Sequence, residues 1–208
     1  MKQININELM KMYVQPKDYL HNQMVDFLNN NGYRVHSING EYIYATPITD
    51  GLPILLSAHM DTINDSRNYG DIQISEINCI KNIISVKNGV NKVLGADDRN
   101  GVYLIKKLIE DGFRPYVILT HDEETGGVGV RSFLNDFPKN SDNIILGIAI
   151  DRGFKEYRVN PKKLPPKLNQ VVFYEELSPQ VHSYFESKGF VKDYGTSTDI
   201  KKIGATIA

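Results

Sequence analysis

The sequence predicts an α/β fold: a three-layer sandwich in which a mostly parallel mixed sheet lies between helices, with no separate lid domain. Three observations carry this. Apolar runs of strand length at 53–57, 116–120 and 144–150 alternate with stretches of helical spacing. Asn39-Gly40, between two β-rich runs, is a hairpin signal. Acidic and imidazole groups gather just after the strands, where open α/β sheets form their ligand sites. A length of 208 residues suits one domain that buries roughly 70% of its unfolded surface.

Taken in order, residues 4–30 repeat apolar side chains at helical intervals, with Ile6, Leu9, Met10 and Tyr13 before Pro16 and Leu20, Met24, Phe27 and Leu28 after it. Pro16 therefore divides two helices. Strands follow at 33–38 and 41–45 around the Asn-Gly turn, and a buried-type strand at 53–57. Residues 71–88 hold further short β-rich pieces. A helix at 100–110 presents Val102, Leu104, Ile105 and Leu108, and a strand at 116–120 comes next. Helix 128–137, strand 144–150 and helix 178–188 complete the pattern, with a proline-rich loop at 161–166.

Composition narrows the function classes. The net charge is −1 and the lysines are dispersed, which argues against a nucleic-acid or anionic-membrane partner. No apolar stretch approaches the roughly 20 residues of a bilayer span. Cys79 is the single cysteine and the N-terminus MKQININELM has no signal-peptide core, so a soluble, cytoplasmic protein is expected, with small or peptide-like partners.

The charged groups lie at His59-Met60-Asp61, Asp97-Asp98, Glu123-Glu124 and Asp151, each at a strand end or helix start. Acids in such places often only cap helices. Four clusters converging at one sheet edge point instead to a shared site. Carboxylates crowded into a cleft repel, and divalent cations reverse that penalty. Imidazole among the donors favours zinc or a similar transition metal over magnesium or calcium. His59 and Asp61, two apart on an extended segment, point to the same side, as suits a ligand and the carboxylate that holds its tautomer.

These residues resemble the zinc-dependent exopeptidases with a co-catalytic metal pair, such as peptidase T, glutamate carboxypeptidase and bacterial leucyl aminopeptidase. SAHMDT at 57–62 is similar to that family's His-x-Asp motif, GADDRNG at 95–101 to its bridging-aspartate motif, DEETGG at 122–127 to its Glu-Glu motif and AIDRG at 149–153 to its following aspartate. GTSTDI at 195–200 is a weaker match. The resemblance implies that His59 and Asp151 bind one metal, Glu124 the second, and that Asp97 bridges both. It implies two zinc ions, with cobalt or manganese as substitutes. Asp61 would orient His59, and Glu123 would be the general base toward water attacking a scissile amide. A cis peptide between Asp97 and Asp98 is implied as well. The substrate would be a small peptide or an N-acyl amino acid.

Outside those motifs, His121 adjoins the site, while His21, His36 and His182 are explained by packing. Arg99, Arg131 and Arg152 are left outside the site. The 43 residues from 152 to 194 are too few for an inserted domain of about 50, which favours a lidless catalytic domain spanning 1–208. The family's last ligand is a histidine beyond the segment that GTSTDI resembles, and the chain stops at Ala208 without it. A fragment, a natural truncation with an impaired second metal site, or substitution by Asp199 or His182 are the explanations. The expected activity is that of a metallo-exopeptidase or related amidohydrolase. The alternative is a non-catalytic module keeping the fold and its metal or peptide binding; a magnesium phosphoryl-transfer enzyme comes third.

Overall fold

The computed structural model describes residues 4–63, 70–77, 80–137, 144–150 and 179–187. The chain groups into two compact units, residues 1–152 with 199–208 and residues 153–198. Of the second unit, the described part is one helix, Pro179–Ser187.

The first unit opens with α1 (Ile6–Tyr13) and α2 (Lys17–Asn30). Asn5 starts α1, its Oδ1 accepting the N–H groups of Asn7 and Glu8 at 3.1 and 3.3 Å. Pro16 precedes α2, where a missing N–H costs nothing. Strands β1 (Tyr33–Ile38), β2 (Tyr42–Pro47) and β3 (Leu52–His59) come next. Then β4 (Asp71–Ile77), β5 (Ile80–Lys87) and β6 (Val90–Lys92) precede α3 (Ala96–Glu110). The unit continues through β7 (Pro115–Thr120), α4 (Val128–Asp136) and β8 (Leu146–Ala149).

The main sheet has the order β1-β2-β7-β3-β8. The Asn39-Gly40 turn makes β1 and β2 an antiparallel hairpin, and β2 also runs antiparallel to β7. Only β7–β3 and β3–β8 are parallel, so this mixed sheet is half parallel among its described pairs. The β-rich pieces after residue 70 do not extend it. They form a separate antiparallel sheet, β4-β5-β6.

Alternation along the strands gives each face its own layer. Ile43, Ala45, Leu56, Ala58, Val117 and Leu119 face Leu20, Met24 and Leu28 of α2 and Val102, Ile105 and Ile109 of α3. On the opposite face, Tyr42 and Tyr44 meet Phe133 of α4 with ring centroids 5.6 and 5.0 Å apart. Helices therefore cover both faces, and each fully buried Leu or Ile stabilises the sandwich by about 1.5–3 kcal/mol. No helix among the described residues is long and apolar enough to cross a membrane.

Candidate metal centre

Strands β3 and β7 run parallel with His59 opposite Thr120, so their carboxyl ends share one edge. The chain leaving β3 carries Asp61 and the chain leaving β7 carries residues 122–124. Met60 N–H donates to the Thr120 carbonyl at 2.8 Å and fixes these two exits side by side. Asp97 arrives from the start of α3, where it and Asp98 depart from helical dihedrals and the bond joining them is cis, as the resemblance implies. The helical periodicity beginning near residue 100 does not register this irregular first turn.

His59, Asp97 and Glu124 each offer one donor atom, and the three atoms lie within 4.8 Å of one another. His59 is 2% exposed, while Asp97 and Glu124 are exposed carboxylates. The His59 Nδ1 lies 3.0 Å from the Asp61 carbonyl oxygen and 3.5 Å from its Oδ1. Both oxygens can only accept from a ring N–H, so Nδ1 carries a proton, and whenever the ring is neutral its lone pair lies on Nε2. Nε2 faces Asp97 Oδ1 at 3.5 Å. Zinc bonds of about 2.0–2.2 Å in tetrahedral geometry place donors roughly 3.4 Å apart, so the described donor set fits a zinc-like ion with a small contraction.

Asp61 does more than hold the imidazole. It is 3% exposed, and its two carboxylate oxygens accept the N–H groups of Glu123 and Glu124 at 3.2 and 3.3 Å. Burial pushes its pKa up, but the His59 hydrogen bond and charge, with those two N–H groups, outweigh burial and hold it below the ordinary value. The ionised carboxylate thus fixes the turn that presents the Glu-Glu pair. Gly126 and Gly127 let that turn enter α4, with φ of 102° and 71°, where a side chain would be strained. Glu123 is half-buried and stands outside the three-donor group, while its neighbour Glu124 belongs to it.

Asp98 supports His59 from behind. Its Oδ2 accepts the His59 N–H at 3.2 Å and its Oδ1 the Gly101 N–H at 3.1 Å. Gly101 is required there, because a Cβ would sit 2.1 Å from the Ile150 carbonyl and 2.6 Å from the Asp98 carboxylate. Arg99, which sequence reasoning leaves outside the site, is fully buried and donates to the Met60 carbonyl between His59 and Asp61. Arginine is ordinarily a surface residue, and nothing in its sequence neighbours signals this burial. Arg131, by contrast, donates to the Gly126 carbonyl from an exposed position. Asp122 is bonded by Lys17 at 2.8 Å, and His121 pairs in the interior with His21 at 2.9 Å. His36 stacks on Tyr42 at the far face.

Asp151, Arg152, Asp199 and the GTSTDI segment lie outside the described residues, and His182 belongs to the helix of the second unit. A cavity of about 430 Å³ opens elsewhere, between α1, α2 and α3, and includes none of the three donors. It is an open depression over Met12, Leu20, Met24 and Phe27.

No family model and no curated protein matches the chain. Among solved structures the chain is similar to PhTET1-12s, described as a dodecamer in the asymmetric unit. The TM-score is 0.53 at 15% sequence identity, covering 95% of this chain and 86% of that one. At such identity the likeness concerns the fold, an α/β sandwich around a mixed sheet.

Proposed function

We propose that this chain is a metal-dependent exopeptidase or related amidohydrolase that cleaves a peptide or acyl-amide bond. The single observation behind this reading is the joint geometry of His59, Asp97 and Glu124, with the His59 proton turned away toward Asp61. The likeness to PhTET1-12s supports a metallo-exopeptidase-like fold around that site. We read the metal as a zinc pair, with cobalt or manganese able to replace it, and the protein as cytoplasmic. His59 and Asp151 would hold one ion, Glu124 the other, and Asp97 would bridge them.

Bound zinc supplies Lewis acidity toward the scissile carbonyl. The chain's own groups do the rest. His59 offers Nε2 because Asp61 keeps the proton on Nδ1. Asp61 also anchors the backbone of Glu123 and Glu124, so that neighbouring glutamates serve different purposes. Glu123 takes the proton from the attacking water and returns it to the departing amine, a role open to a carboxylate that does not itself bind metal. A small peptide or an N-acyl amino acid is the substrate class that suits this chemistry.

Glu123→Gln tests the division of labour. Turnover of dipeptide and N-acyl amino-acid substrates should fall by roughly 10²–10⁴, while zinc content, measured by elemental analysis, stays at the wild-type level. Unchanged hydrolysis would sink the base assignment. A wild-type chain that binds zinc but hydrolyses none of these substrates would favour the non-catalytic module.

A further inference from the structure

Among the described residues, Arg99 is the largest of the fully buried side chains. A guanidinium taken out of water costs several kcal/mol unless its protons are satisfied, so its bonding is informative. Its Nε donates to the Met60 carbonyl at 3.1 Å. Its Nη1 turns the other way, toward the carbonyls of Met12, Tyr13 and Gln15 at 3.0, 3.1 and 2.6 Å. Those three carbonyls belong to the last turn of α1 and the segment leaving it, where backbone oxygens lack helical partners and a cation is favoured. The same segment reaches the Asp97 loop from its other side, because Gly95 N–H donates to the Tyr13 carbonyl at 3.1 Å. Tyr13 Oη also bonds the Asn100 side chain.

One rigid fork thus touches the peptide between His59 and Asp61, grows from the backbone two residues after Asp97, and grips the end of α1. We propose that Arg99 is a positioning residue that couples the 12–15 segment to the spacing of the His59 and Asp97 donors. Two donor-bearing segments distant in sequence then share one reference point. Lysine cannot replace it: a single ammonium cannot face Met60 and the α1 carbonyls at once, whereas the planar fork does. Coupling of this kind is reciprocal, so an ion held at His59 and Asp97 must in turn order residues 12–15.

The inference rests on the metal reading above, and the test separates the two. Zinc is titrated into the full 208-residue chain by calorimetry, with folding followed by circular dichroism, for wild type, His59→Ala, Arg99→Lys and Glu8→Gln. Glu8 pairs with Lys106 and Lys107 on α3, so its substitution loosens α1 without touching the Arg99 contacts. Arg99→Lys should weaken zinc binding by roughly 10–100-fold, the loss usual for a group that orients a ligand. Glu8→Gln should lower Tm and leave zinc affinity within about twofold. Zinc affinity unchanged in folded Arg99→Lys, with wild type binding and His59→Ala not, overturns this inference alone. A wild type that takes up no zinc overturns the metal reading and this inference with it. Should Arg99→Lys fail to fold, hydrogen exchange on the wild type decides. Zinc must slow exchange at the Val14, Gln15 and Gly95 amides, and indifference of all three overturns the coupling.

Discussion

At the scale of single residues, the clearest contrast is between two imidazoles at neighbouring strand ends. His59 and His121 are both buried, yet their surroundings assign them different tasks. His59 has an oxygen to hold its Nδ1 proton and an Nε2 that faces the Asp97 carboxylate. His121 faces another imidazole, that of His21, and its Nδ1 has no hydrogen-bond partner among the described residues. Burial, then the nearby His21 and Lys17, push the His121 pKa down to about 4, against the weaker pull of Asp61 and Asp122. Burial also lowers that of His21. An unfolded chain protonates this histidine near pH 6.5, so between about pH 6.5 and 4 the unfolded state binds more protons than the folded one. Stability contributed by neutral His121 is therefore complete above that window and is lost as pH falls through it. The shift corresponds to about 3 kcal/mol by pH 4. Urea unfolding between about pH 7 and pH 4 should show this decline, and His121→Gln should flatten it. A wild-type curve indifferent to pH over this range would refute the assignment.

Among the elements, Pro16, the Asn39-Gly40 turn and the apolar runs are local signals, and each marks its helix or strand boundary within a few residues. The start of α3 is different. Its periodicity is readable only from residue 100, because Asp97 and Asp98 are placed by carboxylate bonding, to His59 and Gly101, and not by an apolar face. Arg99 was illegible for a related reason: its partners lie 39 to 87 residues away and are backbone carbonyls, which leave no mark on side-chain pattern. The sheet formed by β4, β5 and β6 escaped too, since alternation identifies a strand but not the sheet it joins. Motif spacing did bring His59, Asp97 and Glu124 to one place. Within α3, Gly101→Ala would gain about 1 kcal/mol of helix propensity, but its Cβ would collide with the Ile150 carbonyl and the Asp98 carboxylate. Overpacking of this kind costs about 1–3 kcal/mol or more and should prevail. The unfolding midpoint in urea should drop; a rise would show that the α3 start yields more easily than its contacts indicate.

For the whole molecule, the sheet acts as a platform whose parallel pair, β3 and β7, delivers two donor-bearing segments to one edge, while α3 brings the third. The helical layer is joined to that edge by Arg99, so fold and site share an anchor. The similarity to PhTET1-12s over 95% of the chain agrees with this architecture. The account stands most directly on metal binding at His59. Zinc titration of the folded wild-type chain, beside His59→Ala, is the decisive measurement. The account predicts saturable zinc uptake, with loss of at least one bound ion in the variant while its circular dichroism remains that of a folded protein. A folded wild type that takes up no zinc, or a His59→Ala chain that binds it equally well, would contradict it.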